Sequence, residues 1–150
     1  MIGKLLSCLR DDSGAVIVET AIVAPVLALM GLGAFQVSQA FARQHELQTG
    51  ADEAAAMALA GWSTSTGDTV ALKGVLKRNL GLTDAQVTIT PKYRCGAATT
   101  YVDAKASCAA TDIVTTYLRI VLNDTYTPQW TSFGIGQPIN YYVERTVLVS

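Results

Sequence analysis

Ala15–Phe35 spans 21 residues with one charged side chain, Glu19. As a helix it is about 31 Å long at 1.5 Å per residue, close to a bilayer core of roughly 30 Å. A cleaved secretory signal would have a shorter apolar region, about 7–15 residues, closing on a small-x-small site before a polar start. Here Phe35-Gln36-Val37-Ser38-Gln39-Ala40 continues as plausible helix. Leu5-Leu6-Ser7-Cys8 has the local shape of a lipobox, but too few residues precede Cys8 to supply an inserting stretch. Lys4, Arg10 and the terminal amine precede the run, whereas Arg43 follows it at a distance. That asymmetry favours a cytoplasmic N-terminus and an extracytoplasmic remainder.

Charge excludes other classes. Only 15% of the 150 residues are charged, the net charge is −1, and no basic run exceeds Lys77-Arg78. The electrostatic footprint of nucleic-acid binding is missing, as is a polybasic patch for acidic lipid. Of the three cysteines, Cys8 precedes the apolar run, and Cys95 and Cys108 lie 13 positions apart beyond it. A zinc site built from Cys and His would need all three together with His45, on both sides of the span, so no metal is expected. Cys95 and Cys108 are expected to pair if they reach an oxidising compartment; the alternative is two buried thiols. Closing that loop is worth about 3 kcal/mol in the chain-entropy treatment.

Glu19 lies about one turn inside the apolar helix, where a lone carboxylate costs several kcal/mol unless it is protonated, paired or near the interface. One reading is a side chain snorkelling to the headgroups. The other starts from Ser13-Gly14-Ala15-Val16-Ile17-Val18-Glu19. Cleavage after Gly14 would give Ala15 a new ammonium and make Glu19 the fifth residue of the mature chain. Positions one and five share a helix face. The carboxylate would then pair with its own amine or with that of a neighbouring subunit.

The segment Arg10-Asp11-Asp12-Ser13-Gly14-Ala15-Val16-Ile17-Val18-Glu19-Thr20-Ala21, followed by Pro25, resembles a type IV prepilin. Within that group it is similar to the TadE-like (TadE/TadF) pseudopilins of the Flp, or tight-adherence, pilus system. Ala42-Arg43-Gln44 and Leu47-Gln48-Thr49-Gly50-Ala51-Asp52-Glu53-Ala54-Ala55 resemble that family's helix beyond the membrane. Tyr126-Thr127-Pro128, a Gly-rich bend and a last strand with Arg145 do so more loosely. The resemblance implies a non-enzymatic minor pseudopilin in Flp pilus assembly for surface adhesion, in a bacterial inner membrane with its C-terminal domain periplasmic. Its implied partners are a prepilin peptidase cutting between Gly14 and Ala15, other pilins and pseudopilins, the Tad inner-membrane assembly platform and the lipid bilayer. The competing reading is an uncleaved bitopic envelope scaffold or sensor with a periplasmic binding domain.

Beyond the bilayer, Leu47, Ala51, Ala54 and Ala58 make a narrow heptad-like seam, with Arg43, Gln44, Glu46, Gln48, Asp52 and Glu53 on the opposite face. The seam packs on the chain's own domain, serves assembly, or does both. If continuous, residues 16–60 form a rod about 68 Å long, in which Pro25 is tolerated. Gly61 fits the stop and Trp62–Gly67 a linker. Asp68 is a candidate cap for a helix over Thr69–Leu80, with Val70, Val75, Leu76 and Leu80 inward, Lys77 and Arg78 in the last turn, and Gly81 ending it. Gln86–Lys92, Ile113–Thr125 and Tyr141–Val149 read as strands. Pro128–Gly136 reads as a bend whose Trp130 and Phe133 either cap the sheet or anchor a partner.

The expected fold is α+β, with a three- or four-stranded antiparallel sheet. Its parts are a leader (1–14), a transmembrane helix (15–35), an extension (36–61) and a small domain (62–150). Ser132 has no histidine in its region, Gly134-x-Gly136 is no phosphate loop, and Asp103 and Asp112 read as solvated turn residues. Neither a catalytic constellation, a cofactor nor a small-molecule substrate is expected.

Overall fold

The computed structural model describes residues 12–61, 66–134 and 136–149, with backbone alone for 12–15, 66–68 and 133. Lys4, Cys8, Arg10 and most of the leader lie outside the described residues, as does 62–65 of the linker. Helix α1 runs Asp12–Gly61. Ala is by far its commonest residue, and Ala has no side-chain freedom to lose in a helix. Pro25 lies inside it; it lacks the N–H that would bond the Ala21 carbonyl.

A compact unit begins at Ala40. Within it the seam is fully used: Leu47, Ala51, Ala54 and Ala58 are all at most 3% exposed. They pack with the second helix, α2 (Thr66–Leu80), and with one face of the sheet. Helix α2 starts three residues earlier than its sequence predicts, so Asp68 stands in its first turn and not at its cap. Ser, Thr and Asp crowd positions 63–69, and cap preference does not rank them. Val70 is also misplaced by the sequence reading: it is 66% exposed, and Leu72 is buried instead. Two residues are about 200° apart on a helix, so Val70 cannot share the face of Leu72, Leu76 and Leu80. At the C-terminal end Gly81 takes a left-handed φ of 65°. The buried Leu82 donates its N–H to the Lys77 carbonyl at 3.1 Å, satisfying an otherwise orphaned acceptor.

Three strands, β1 (Val87–Cys95), β2 (Val114–Tyr126) and β3 (Ile139–Leu148), form an antiparallel sheet in the order β1-β2-β3. The fold is α+β. Alternation aims Val87, Leu118, Ile120, Leu122, Tyr141 and Val143 at the helices. The register places Val87 opposite Leu122 and Val143 opposite Leu122 on its other side. Both outer strands are edges. On β1, Tyr93 exchanges two backbone hydrogen bonds with Val102, at 2.9 and 2.8 Å, on the side away from β2. Pro91 is two residues earlier and therefore turns its nitrogen to the same outer side, where a missing donor costs the ladder nothing.

Candidate assembly surface

The first part of α1 is apolar and bare. From Val16 to Met30 every side chain is exposed, Ile17 at 68% and Leu29 at 69%. Its best 18-residue stretch has a mean hydropathy of 2.1 with none of it buried, and it is the one helix among the described residues long and apolar enough to cross a membrane. Side chains added at Gly31 or Gly33 would meet nothing within 4 Å. A helix apolar all round is at home in hydrocarbon or among other helices. Thr20 returns its hydroxyl to the Val16 carbonyl at 2.8 Å, so that polar group is satisfied within the helix. Glu19 is exposed and has no hydrogen-bond or ion-pair partner among the described residues. Gly14 and Ala15 lie in α1 as well. Ala15 and Glu19 are thus one turn apart, a rise of about 6 Å.

From Ala40 onward the same helix is tied to the rest of the compact unit by polar contacts of Tyr141, Arg43 and Arg145. Tyr141 reaches from β3 to donate its hydroxyl to the Ala40 carbonyl at 2.8 Å. Burial, with Tyr126 and Asp124 adding to it, pushes that phenol up. The Arg43 guanidinium serves three acceptors: Asp124 Oδ2 at 2.7 Å, Glu46 Oε2 at 2.8 Å and the Leu80 carbonyl at 2.9 Å. The last is an open acceptor at the C-terminal end of the α2 hydrogen-bond ladder, which a cation satisfies well. Burial pulls Arg43 down, but its bonds to Glu46 and Asp124 outweigh that and hold it above the usual guanidinium range. Gln86 Nε2 donates to the other oxygen of Asp124 at 2.8 Å, completing the carboxylate's partners. Further along, Arg145 on β3 donates to Asp52 at 2.5 Å, a bond that raises the arginine.

Arg43 therefore does not belong to the solvated outer face that its spacing suggests, being half-buried against Asp124 and Leu80, whereas Asp52 stays exposed on that face and pairs there with Arg145. Their partners stand 81 and 93 residues away, so nothing local in sequence points to them. Gly50 was equally silent. A Cβ at that position would lie 2.7 Å from Leu80 Cδ1, so the absence of a side chain is what lets α1 and α2 approach.

At the far end of the sheet Cys95 and Cys108 are disulfide-bonded, with Cα atoms 5.3 Å apart. The closed loop carries Val102 to the β1 edge and Tyr101 onto Tyr117, ring centroids 5.0 Å apart in an edge-to-face pair. Arg94 lies 5.3 Å from the centre of the same Tyr117 ring. Asp103 pairs with Lys92, and Asp112 accepts the Ala109 N–H in a turn. On the outer sheet face Arg119 grips Glu144 with two bonds, of 2.6 and 2.8 Å, and Tyr142 adds a third at 2.5 Å. Arg119 first, and Tyr142 next, hold the Glu144 carboxyl down at about 2. Trp130 is half-buried in a 3-10 turn, Gln129–Phe133, which also holds Ser132; the Phe133 side chain is outside the described residues. His45 is exposed on α1. Among the described residues no three His, Cys, Asp or Glu side chains gather as a metal site would require.

These features define a class: a small α+β domain carried on one bare apolar helix of membrane-spanning length, which marks the chain for single-pass anchoring. Residues 14–56 match the family model described as TadE-like protein. The resemblance carried by the sequence of α1 is thus met by that family, and similarity to it implies a role in the Tad (Flp) pilus system among its other components. No curated protein and no solved structure matches the chain.

Proposed function

We propose that the chain is a minor pseudopilin of the Tad system, acting by binding in pilus assembly for surface adhesion, without turnover. A prepilin peptidase cuts between Gly14 and Ala15. The helix then stays in the inner membrane or joins a pilus base, with its N-terminus cytoplasmic and the small domain periplasmic. The parts are a leader (1–14), a transmembrane helix (15–35), an extension (36–61) and an outer domain (62–150). The Cys95–Cys108 bond fits an oxidising periplasm.

The observation that carries this reading is Glu19, a carboxylate on a bare apolar helix with no partner among the described residues. Burial in lipid demands a counter-charge. The freed Ala15 ammonium, one turn away, supplies one to its own chain or to a packed neighbour. Two features support it: the family match begins at residue 14, the cleavage glycine, and the seam residues Leu47, Ala51 and Ala54 fall inside it. Because that seam is spent on the chain's own domain, helix packing with other pilins uses the apolar segment before Ala40. The test is Glu19→Gln in cells that make the pilus. Loss of assembly with unchanged protein level is expected; full assembly would remove Glu19 from the mechanism.

A further inference from the structure

The sheet face turned away from α1 and α2 carries an apolar patch around one unpaired cation. Ile113 directly precedes β2 and is 83% exposed, and Tyr101 and Leu148 are each about half exposed. The register sets Leu148 opposite Tyr117, the ring on which Tyr101 packs. Arg94 stands opposite Thr115 and against that same ring. By alternation Thr115 and Tyr117 share the face of Arg119. The neighbouring charges are spent on each other, Lys92 on Asp103 and Arg119 on Glu144. Arg94 has no carboxylate partner among the described residues, and its Nε is buried without an acceptor. A guanidinium held against a ring presents its terminal N–H groups as a fixed fork, which suits a carboxylate. Tyr and Arg in such a setting are the residue types that anchor protein contacts.

The complementary feature lies in the helix layer of the same compact unit. There α1 and α2 leave a shallow groove lined by Gly50, Ala54, Leu72 and Leu76, with the exposed Glu53 and Met57 beside it. Those two are four residues apart and share a helix face. Among the described carboxylates of the compact unit, Glu53 is the one with neither a hydrogen bond nor an ion pair. We propose that a second copy of this chain seats its Ile113 patch on this groove, with Arg94 paired to Glu53 and Ile113 against Met57. An unpaired cation in an apolar patch thus meets an unpaired anion beside an apolar groove. Two exposed charges attract only weakly in water, so the apolar contact holds the copies and the charge pair fixes their orientation. Patch and groove lie on opposite sides of the sheet. The contact is therefore head-to-tail and leaves one groove and one patch open at its ends. It concerns the compact unit alone and holds whether or not the leader is cut.

Two full-length chains, both Cys8→Ser, are mixed in mild detergent, one carrying Met57→Cys and the other Ile113→Cys. Gentle oxidation, read on non-reducing gels, is expected to link them. Gln44→Cys, about 220° round the helix from Met57, should link to Ile113→Cys at the collision level only. Adding Glu53→Lys to the first chain should cut the yield about tenfold, and Arg94→Glu in the second should restore it. A chain carrying both Met57→Cys and Ile113→Cys should give a ladder beyond the dimer. No link above the collision level, or a link indifferent to Glu53→Lys, would overturn the contact, and a product ending at the dimer would overturn its head-to-tail form. Should Arg94→Glu not fold, salt takes its place: the yield between chains of native charge should fall as salt rises, and constancy would overturn the charge pair. Capture of Ile113→Cys chains by a different protein in native membranes, with no link between copies, would also overturn the self-contact.

Discussion

Gly50→Ala is a sharp test of how α1 meets the domain, because two effects of known size oppose each other there. Helix propensity alone favours alanine over glycine by about 1 kcal/mol in a helix interior. Against it, the new Cβ would stand 2.7 and 2.8 Å from the two Leu80 methyls and 3.1 Å from its Cγ. Leu80 has little room to give way. It is 6% exposed, its carbonyl is held by Arg43, and the left-handed Gly81 follows it directly. Forcing a methyl into such a place costs about 1–3 kcal/mol. The net expectation is a loss of about 1 kcal/mol, or roughly 4 °C in Tm for a domain of this size. Near-UV circular dichroism of the detergent-solubilised chain measures it. Leu80→Ala alone should cost about 2–5 kcal/mol, and the double variant should lose less than the sum, since alanine at 50 fills part of the vacated space. A rise in Tm with Gly50→Ala, together with simple additivity in the double variant, would refute the close approach.

Four further outcomes are expected. Arg43→Lys should lower stability by about 1–3 kcal/mol, since a single ammonium cannot serve Asp124, Glu46 and the Leu80 carbonyl together and Asp124 is largely buried; thermal melts read it, and Asp124→Asn should add little to it. Tyr141→Phe removes the bond to the Ala40 carbonyl and should cost about 1 kcal/mol, with faster amide exchange around Ala40. For Glu144 the folded carboxyl is depressed from 4.5 to about 2, so its contribution is fully present above about pH 4.5 and is lost as pH falls towards 2. Carbon-detected NMR titration should place it there, and Arg119→Met should bring it back towards its ordinary value. Cys95→Ser with Cys108→Ser should cost about 3 kcal/mol and speed exchange of the Tyr93 and Val102 amides, while leaving that of Leu118 and Ile120 tied to global unfolding.

What the sequence disclosed follows the range of the forces involved. The apolar run, the Leu47-Ala51-Ala54-Ala58 seam and the helix stop at Gly81 are periodic or local signals, and each appears in the structure. The strand cores were legible through alternation, but their ends were not. β1 runs on to Cys95, past the expected Lys92, because Val114, Thr115 and Thr116 across the ladder continue to pair. Val70 is apolar and β-branched, which suggests the core, but its phase on the helix relative to Leu72, Leu76 and Leu80 turns it outward. The ties at Arg43, Asp52 and Arg145 were invisible because they join residues far apart in sequence, on a helix stripe that looks merely hydrophilic. For Gly14, Ala15 and Glu19 the position is different: their pattern is plain in sequence, and the role proposed for them depends on a cut after Gly14.

That cut is the most direct point of attack. The intact chain is 15.9 kDa, and mass spectrometry of protein extracted from membranes of cells that possess the peptidase reads its N-terminus. A chain beginning at Ala15, short by the mass of residues 1–14, is the expected result. A chain that keeps its leader in those cells would leave Glu19 without its counter-charge and contradict the pseudopilin reading.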